Sequence, residues 1–194
     1  MSTYSQSMAQ AVRNVVKMAQ TEYMDRNKGY IDVGMYLELQ MRPAMAAETL
    51  KAYHNWYRRT YKPTEDLTSH FRKETPIYVC GVLTEFAQFV ESIVRTATVL
   101  DKAIKVLDIY GWCQGRPGNE TGGYCLLGAI NRALVNSPFS RVQQDQVWSS
   151  ARTAIHGLVN TSFLATWNDT PGRTVDEVKH LIRETAASVR MVPE

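Results

Sequence analysis

Apolar residues recur through this chain at the spacing of a helix, and the segment after Pro76 shows it most clearly. Val79, Leu83, Phe86, Val90 and Ile93 step by three and four residues, which lines them along one side of a helix. A half-buried strand would instead alternate apolar and polar residues with a period of two. The expectation is a buried helix opened by Pro76.

The same spacing organises most of the chain. Met8, Val12, Val15, Ala19 and Tyr23 fall on one helical face, with Asn27-Lys28-Gly29 as its stop. Pro43 suits a first helical turn, where its missing N–H has no partner anyway. The helix it opens carries Ala46, Leu50, Tyr53, Tyr57 and Tyr61 on one stripe. Thr64-Glu65-Asp66-Leu67 reads as another start, its acidic residues near the positive end of the helix dipole. Thr98 reads as the cap of a separate helix bearing Leu100, Ile104 and Leu107, ended by Gly111. Further helices are expected over Tyr124 to Asn136 and along Val147, Ala151, Ile155 and Leu158. The last opens with Thr174-Val175-Asp176-Glu177, a capping box, and carries Val175, Val178, Ile182 and Val189. Tyr30 to Leu39 is the exception. Its β-branched and aromatic residues around Gly34 allow a short strand, a hairpin arm or a loop.

The expected fold is therefore mostly α: a helical bundle-like domain with a helical N-terminal region, and room for a short β element near 30–39. The main boundary is placed between Ile93 and Thr98, giving residues 1–95 and 96–194. No Pro/Gly linker marks it, so both parts can share one core.

A chain of 194 residues suits one domain, or one domain with an extension. Its apolar runs fall short of the roughly 18–20 residues of a membrane span, and Met1 to Ser7 lacks the regions of a secretory signal. A cytoplasmic location without membrane partners is the expectation. The net charge of +3 does not by itself argue for nucleic acid. Cys80, Cys113 and Cys125 are odd in number with no close pair, which argues against a disulfide framework and fits a reducing compartment. No CxxC or HxxxH pattern suggests structural zinc, so no metal or cofactor is expected.

Two tryptophan-centred motifs supply the candidate site. The first is Gly111-Trp112-Cys113-Gln114-Gly115, followed by Gly122-Gly123-Tyr124-Cys125-Leu126-Leu127-Gly128-Ala129-Ile130. The second is Trp167-Asn168-Asp169-Thr170-Pro171-Gly172-Arg173, running into the final capping box. Trp112 and Trp167 read as large core anchors, each with an indole N–H that needs an acceptor. Asn168 and Asp169 suit a turn continued by Pro171-Gly172. The functional alternative is a polar pocket of Gln114, Asn168, Asp169 and Arg173 between the two tryptophans, with Cys125 as a further binding candidate. Asp169 alone is not a paired acid/base system.

Cys125 follows two glycines at an expected helix N-terminus, where free N–H groups and the dipole would favour a thiolate. A cysteine nucleophile also needs a base and an orienting group. His156 or His180, with Asn168 or Asp169, could supply them, and the catalytic alternative is Cys125, His156 and Asp169. The competing reading makes Cys125 a small buried residue packed beside Gly128 and Ala129. Elsewhere, Lys51, Arg58, Arg59, Lys62, Arg72 and Lys73 are interleaved with Tyr53, Trp56, Tyr57, Tyr61 and Phe71. Such a mixture can bind single-stranded nucleic acid. The favoured reading is a solvated amphipathic helix whose tyrosines face the core and whose basic stems cover that face, with a protein-binding face next and nucleic acid last. The glycines at 115, 118, 122 and 123 lack the Lys-Ser/Thr that completes a phosphate loop.

From Thr98 onward, the order of these motifs resembles a family of small uncharacterised domains in actinobacteria and their phages. The carrying residues are Gly111-Trp112, Gln114-Gly115, Cys125-Leu126-Leu127-Gly128-Ala129, Trp167-Asn168-Asp169 and Glu177-Val178. The likeness covers about half the chain. That family has no established activity, so the resemblance implies a domain and a phage or actinobacterial context. The expected function is a non-catalytic intracellular interaction protein, phage-encoded, that binds a host or phage macromolecule, a protein first of all. A virion-associated role belongs to the same class. The alternatives are a thiol-dependent hydrolase or transferase using Cys125, and nucleic-acid binding through Lys51–Lys73. Oligomeric state is left open.

Overall fold

The structure is a computed structural model that describes residues 3–26, 32–63, 67, 76–159, 161 and 163–190. Among them the chain is mostly α. The helices are α1 (Thr3–Arg26), α2 (Val33–Gln40), α3 (Pro43–Tyr61), α4 (Pro76–Tyr110), α5 (Leu126–Val135), α6 (Arg141–Leu158), α7 (Leu164–Asn168) and α8 (Val175–Arg190). Two short strands, β1 (Gly118–Asn119) and β2 (Gly123–Tyr124), pair antiparallel between α4 and α5. The chain divides into two compact units, and the division falls inside α4 after Glu91.

In the first unit, α1 packs on α2 and α2 on α3. Met8, Val12, Val15 and Ala19 are buried on α1, on the face their spacing marks. The stop at Asn27-Lys28-Gly29 and the helix start at Thr64-Glu65-Asp66 lie outside the described residues. Residues 33–40 are helical, and this corrects the strand, arm or loop expected near 30–39. Asp32 explains the difference. Its side chain accepts the backbone N–H of Met35, so it caps the helix, and Val33, Tyr36 and Leu37 then reach the core on one face. Tyr53, Tyr57 and Phe86 are fully buried, and Tyr53 meets Phe86 edge-on with ring centroids 5.3 Å apart. The Tyr57 and Tyr78 hydroxyls lie 2.9 Å apart, so the partly buried Tyr78 supplies a partner for the buried Tyr57 phenol.

α4 is a second correction. It runs unbroken through Thr98, whose hydroxyl donates to the carbonyl of Val94 rather than capping a new helix. A threonine can make this bond to the preceding turn without ending a helix. The end comes at Gly111, where φ is +81° and the N–H returns to the Leu107 carbonyl. By length and composition alone, Ile77–Tyr110 is long and apolar enough to cross a membrane, as the core helix of a water-soluble domain can also be. The helix also supplies core residues: Val79, Leu83, Phe86 and Val90 in the first unit, Val99, Leu100, Ala103 and Leu107 in the second.

The second unit packs α5 on α6 and α7, and α6 on α8. Leu126, Ala129 and Ile130 from α5 meet Val147, Ala151 and Ile155 from α6 and Val178, Ile182 and Ala186 from α8 in one buried cluster. A fully buried Leu or Ile contributes about 1.5–3 kcal/mol, whereas an exposed pair such as Arg141–Asp145 contributes about 0–1 kcal/mol. The unit is therefore held by its apolar interior, and its ends are set by caps. Ser140 forms a capping box with Gln143 at α6, and Thr174 forms one with Glu177 at α8.

Candidate functional site

The motif residues of the second unit converge on one buried amide. Asn168 ends α7 and is 1% exposed. Its Oδ1 accepts from Trp112 Nε1 at 2.8 Å and from the Leu126 backbone N–H at 3.0 Å. Its Nδ2 donates to the Cys113 carbonyl at 3.2 Å and to Asp169 Oδ1 at 2.7 Å. One side chain thus joins the end of α7, the loop after α4 and the start of α5. Its four bonds use both donors and both acceptor positions of the amide.

The neighbours reinforce this joint. Gln114 donates to the carbonyls of Asn168 and Thr170 at 2.9 and 3.1 Å. The N–H of Gly115 donates to Asp169 Oδ1 at 2.9 Å. Arg173 lies over the Trp167 ring at 3.9 Å, donates to the Trp167 carbonyl and pairs with Glu177. The expected polar pocket between two tryptophans is therefore filled by contacts among its own members. Trp112 and Trp167 are half-buried and packed at the edge of the core rather than fully enclosed.

A short hairpin, absent from the sequence reading, sets the position of Cys125. Asn119 Oδ1 accepts the N–H groups of Thr121 and Gly122 and so holds the turn between β1 and β2. Gly123 has φ of +78°, and a Cβ there would lie 2.9 Å from the Gly111 carbonyl carbon. The Pro117 carbonyl accepts from the Cys125 N–H at 3.2 Å. It comes so close to α5 that a Cβ on Gly128 would lie 1.8 Å from its oxygen. The Cys-x-x-Gly spacing is thus a steric requirement: the cysteine starts the helix and the glycine admits the loop.

Cys125 is the N-cap of α5, and its sulfur accepts the Gly128 N–H at 3.3 Å. Burial pushes its thiol above the ordinary value, against the N–H groups of Gly128 and Leu127, which pull it down. Desolvation is the larger effect. Neither histidine offered as a base lines the cavity beside Cys125. His156 faces the Thr161 carbonyl at 3.1 Å, and His180 is exposed on α8. Asp169 is engaged with Gly115 and Asn168.

That cavity holds about 430 Å³, within the range of about 300–1,000 Å³ usual for ligand pockets. Pro117, Cys125, Leu127, Gly128, Trp148 and Ala165 give it apolar walls. Arg116, Asn131, Asn168 and Asp169 supply its polar atoms. Of the sequence candidates, Cys125, Asn168 and Asp169 line it, whereas Trp112, Gln114, Trp167 and Arg173 do not. Arg116, Leu127, Asn131 and Trp148 were not singled out by sequence. Trp148 carries the one readable signal: it is a large aromatic beside, not on, the buried stripe of Val147, Ala151 and Ile155.

The basic segment belongs to the first unit. Lys51, Arg58, Arg59 and Lys62 are exposed on or just after α3, and Arg72 and Lys73 lie outside the described residues. Tyr53 and Tyr57 are each 1% exposed, so their faces are closed to bases. Trp56 packs partly buried against the same core. Tyr61 is exposed at the helix end, where burial of its phenol and its bond to Glu85 push its pKa up to about 12. Among the described residues, no group of three or more His, Cys, Asp or Glu side chains is arranged to hold a metal.

No curated protein and no solved structure matches the chain. A family model does match, over residues 91–188, a span that begins beside the division in α4 and contains both tryptophan motifs. The chain belongs to the family of unknown function DUF6197.

Proposed function

We propose that the second unit is a non-catalytic binding module whose cavity receives an apolar side chain of a partner protein. The observation that carries this reading is the division of labour among the motif residues. Trp112, Gln114, Asn168 and Arg173 spend their polar groups on each other and on backbone. The cavity they support is walled by Leu127, Trp148, Pro117 and Ala165. Apolar walls with a few convergent polar atoms suit recognition, with Asn131 exposed on the wall to meet a partner's backbone amide. A thiol enzyme is less favoured, because Cys125 is raised by burial and shares the cavity with no histidine. The reading carries the phage or actinobacterial context and the cytoplasmic setting as parts of the proposal.

The test compares wild-type protein with Asn131→Arg and Trp148→Ala in capture from cells of the native host. Circular dichroism would check that each variant is folded. The reading expects one defined protein retained by the wild type and lost by folded variants. Equal capture by all three would count against the cavity.

A further inference from the structure

The three cysteines are not equivalent in space. Cys80 is buried in the first unit, whereas Cys113 and Cys125 belong to the second. Twelve positions separate the latter pair in sequence, but backbone pairing cancels that distance. Trp112 and Tyr124 form a parallel bridge. The Tyr124 N–H donates to the Gly111 carbonyl at 3.0 Å, and the Cys113 N–H donates to the Tyr124 carbonyl at 3.2 Å. One step further along both segments stand Cys113 and Cys125. Paired segments lie about 4.7–4.9 Å apart, and a disulfide asks for Cα atoms about 4.4–6.8 Å apart.

The Cys113 side chain turns toward the paired segment. The Cys113 thiol lies 3.5 Å from the Gly123 carbonyl, in the segment that leads into Cys125. Cys113 is near enough that its charge helps to push the Cys125 thiol up. Both are half-buried, so a small oxidant can reach them.

We propose that Cys113 and Cys125 form a peroxide-sensitive dithiol that closes to an intramolecular disulfide. In the first step the Cys113 thiolate attacks hydrogen peroxide. The O–O bond breaks, Cys113 becomes a sulfenic acid, and the departing hydroxide takes a proton to leave as water. In the second step the Cys125 sulfur attacks the Cys113 sulfur. The S–O bond breaks, an S–S bond forms, and a second water leaves with the Cys125 proton. Two thiols lose two electrons and peroxide gains them. Cys113 goes first because burial disfavours the Cys125 thiolate. Closure would turn residues 114–124 into a loop, fix the hairpin to the start of α5 and alter the cavity wall at Cys125. It is independent of what the cavity holds.

The test uses the full chain in its native state. After exposure to hydrogen peroxide, remaining thiols are alkylated and the protein is cut after Glu120 without reductant. The expected product is a linked peptide pair joining Cys113 to Cys125, lost on dithiothreitol treatment, with Cys80 still alkylated. The oxidised protein should melt higher than the reduced one, since the link restricts the unfolded chain. In Cys125→Ser, a dimedone adduct should appear on Cys113 in place of the link. The wild-type mapping stands even if that variant folds poorly. Unlinked thiols after oxidation, links to Cys80, or links only between molecules would overturn the proposal.

Discussion

At the scale of single residues, Asn168 matters most to the second unit. Replacing it with Ala leaves the Trp112 indole N–H and the Leu126 N–H without their acceptor. Each stranded donor costs about 1–3 kcal/mol, so Asn168→Ala should destabilise the unit by about 2–6 kcal/mol in a urea titration. Asn168→Asp keeps the acceptors but loses the donations to Cys113 and Asp169 and sets a second carboxylate against Asp169, so it should destabilise the unit as well. Gly128 makes a separate demand. Ala at that position must displace the Pro117 carbonyl, and overpacking of this kind costs about 1–3 kcal/mol. Gly157 has nothing near a built Cβ, so Gly157→Ala should be tolerated in the same assay. Trp112→Ala and Trp167→Ala should both destabilise, by less than the roughly 3–5 kcal/mol of a fully buried aromatic. The sequence named Asn168 as a turn residue because Asn commonly bonds nearby backbone. It could not reveal the Trp112 and Leu126 contacts, which come from positions far apart in the chain.

At the scale of elements, apolar spacing located α1, α3, α6, α8 and both halves of α4, because each buries one stripe, and it missed α2 and the short α7. Where the reading failed, a short-range bond decided the outcome. Asp32 capped α2 in a segment rich in strand-forming residues, and Thr98 bonded back to Val94 and let α4 continue. The hairpin rests on Asn119 and on glycines at positive φ, a signal present in sequence but too short to stand out. The capping box of α8 was legible because both partners lie within one turn. Glu177 there accepts from the Thr174 N–H and hydroxyl, which lowers its pKa. A carboxyl held below its unfolded value stabilises the fold above that value, about 4.3. The contribution disappears as pH falls through the folded pKa. The melting temperature of wild type should therefore drop more steeply than that of Glu177→Gln as pH is lowered below about 4.3. Parallel curves would show that the box adds nothing. Thr174→Ala should cost about 1 kcal/mol at neutral pH, the usual value of an N-cap.

At the scale of the whole molecule, the two buried clusters share no residue, and the family span covers the second. Sequence reading put a boundary between Ile93 and Thr98 without a linker to mark it. A continuous helix explains why no linker is present: α4 passes through the division at Glu91. The cavity was the least legible part of the chain. Its walls come from the loop after α4, from α5, α6 and α7, and residues such as Asn131 and Trp148 gain meaning only when those elements meet. The central claim is that the second unit is a self-sufficient domain in which the motif residues build the scaffold of that cavity. The most direct measurement is urea unfolding of residues 92–191 alone, followed by tryptophan fluorescence. Trp112, Trp148 and Trp167 all lie inside the fragment and Trp56 does not, so the signal reports the two motifs and the cavity wall. The expected result is one cooperative transition, abolished or shifted to lower urea in Asn168→Ala. A gradual, non-cooperative change in the wild-type fragment would contradict it.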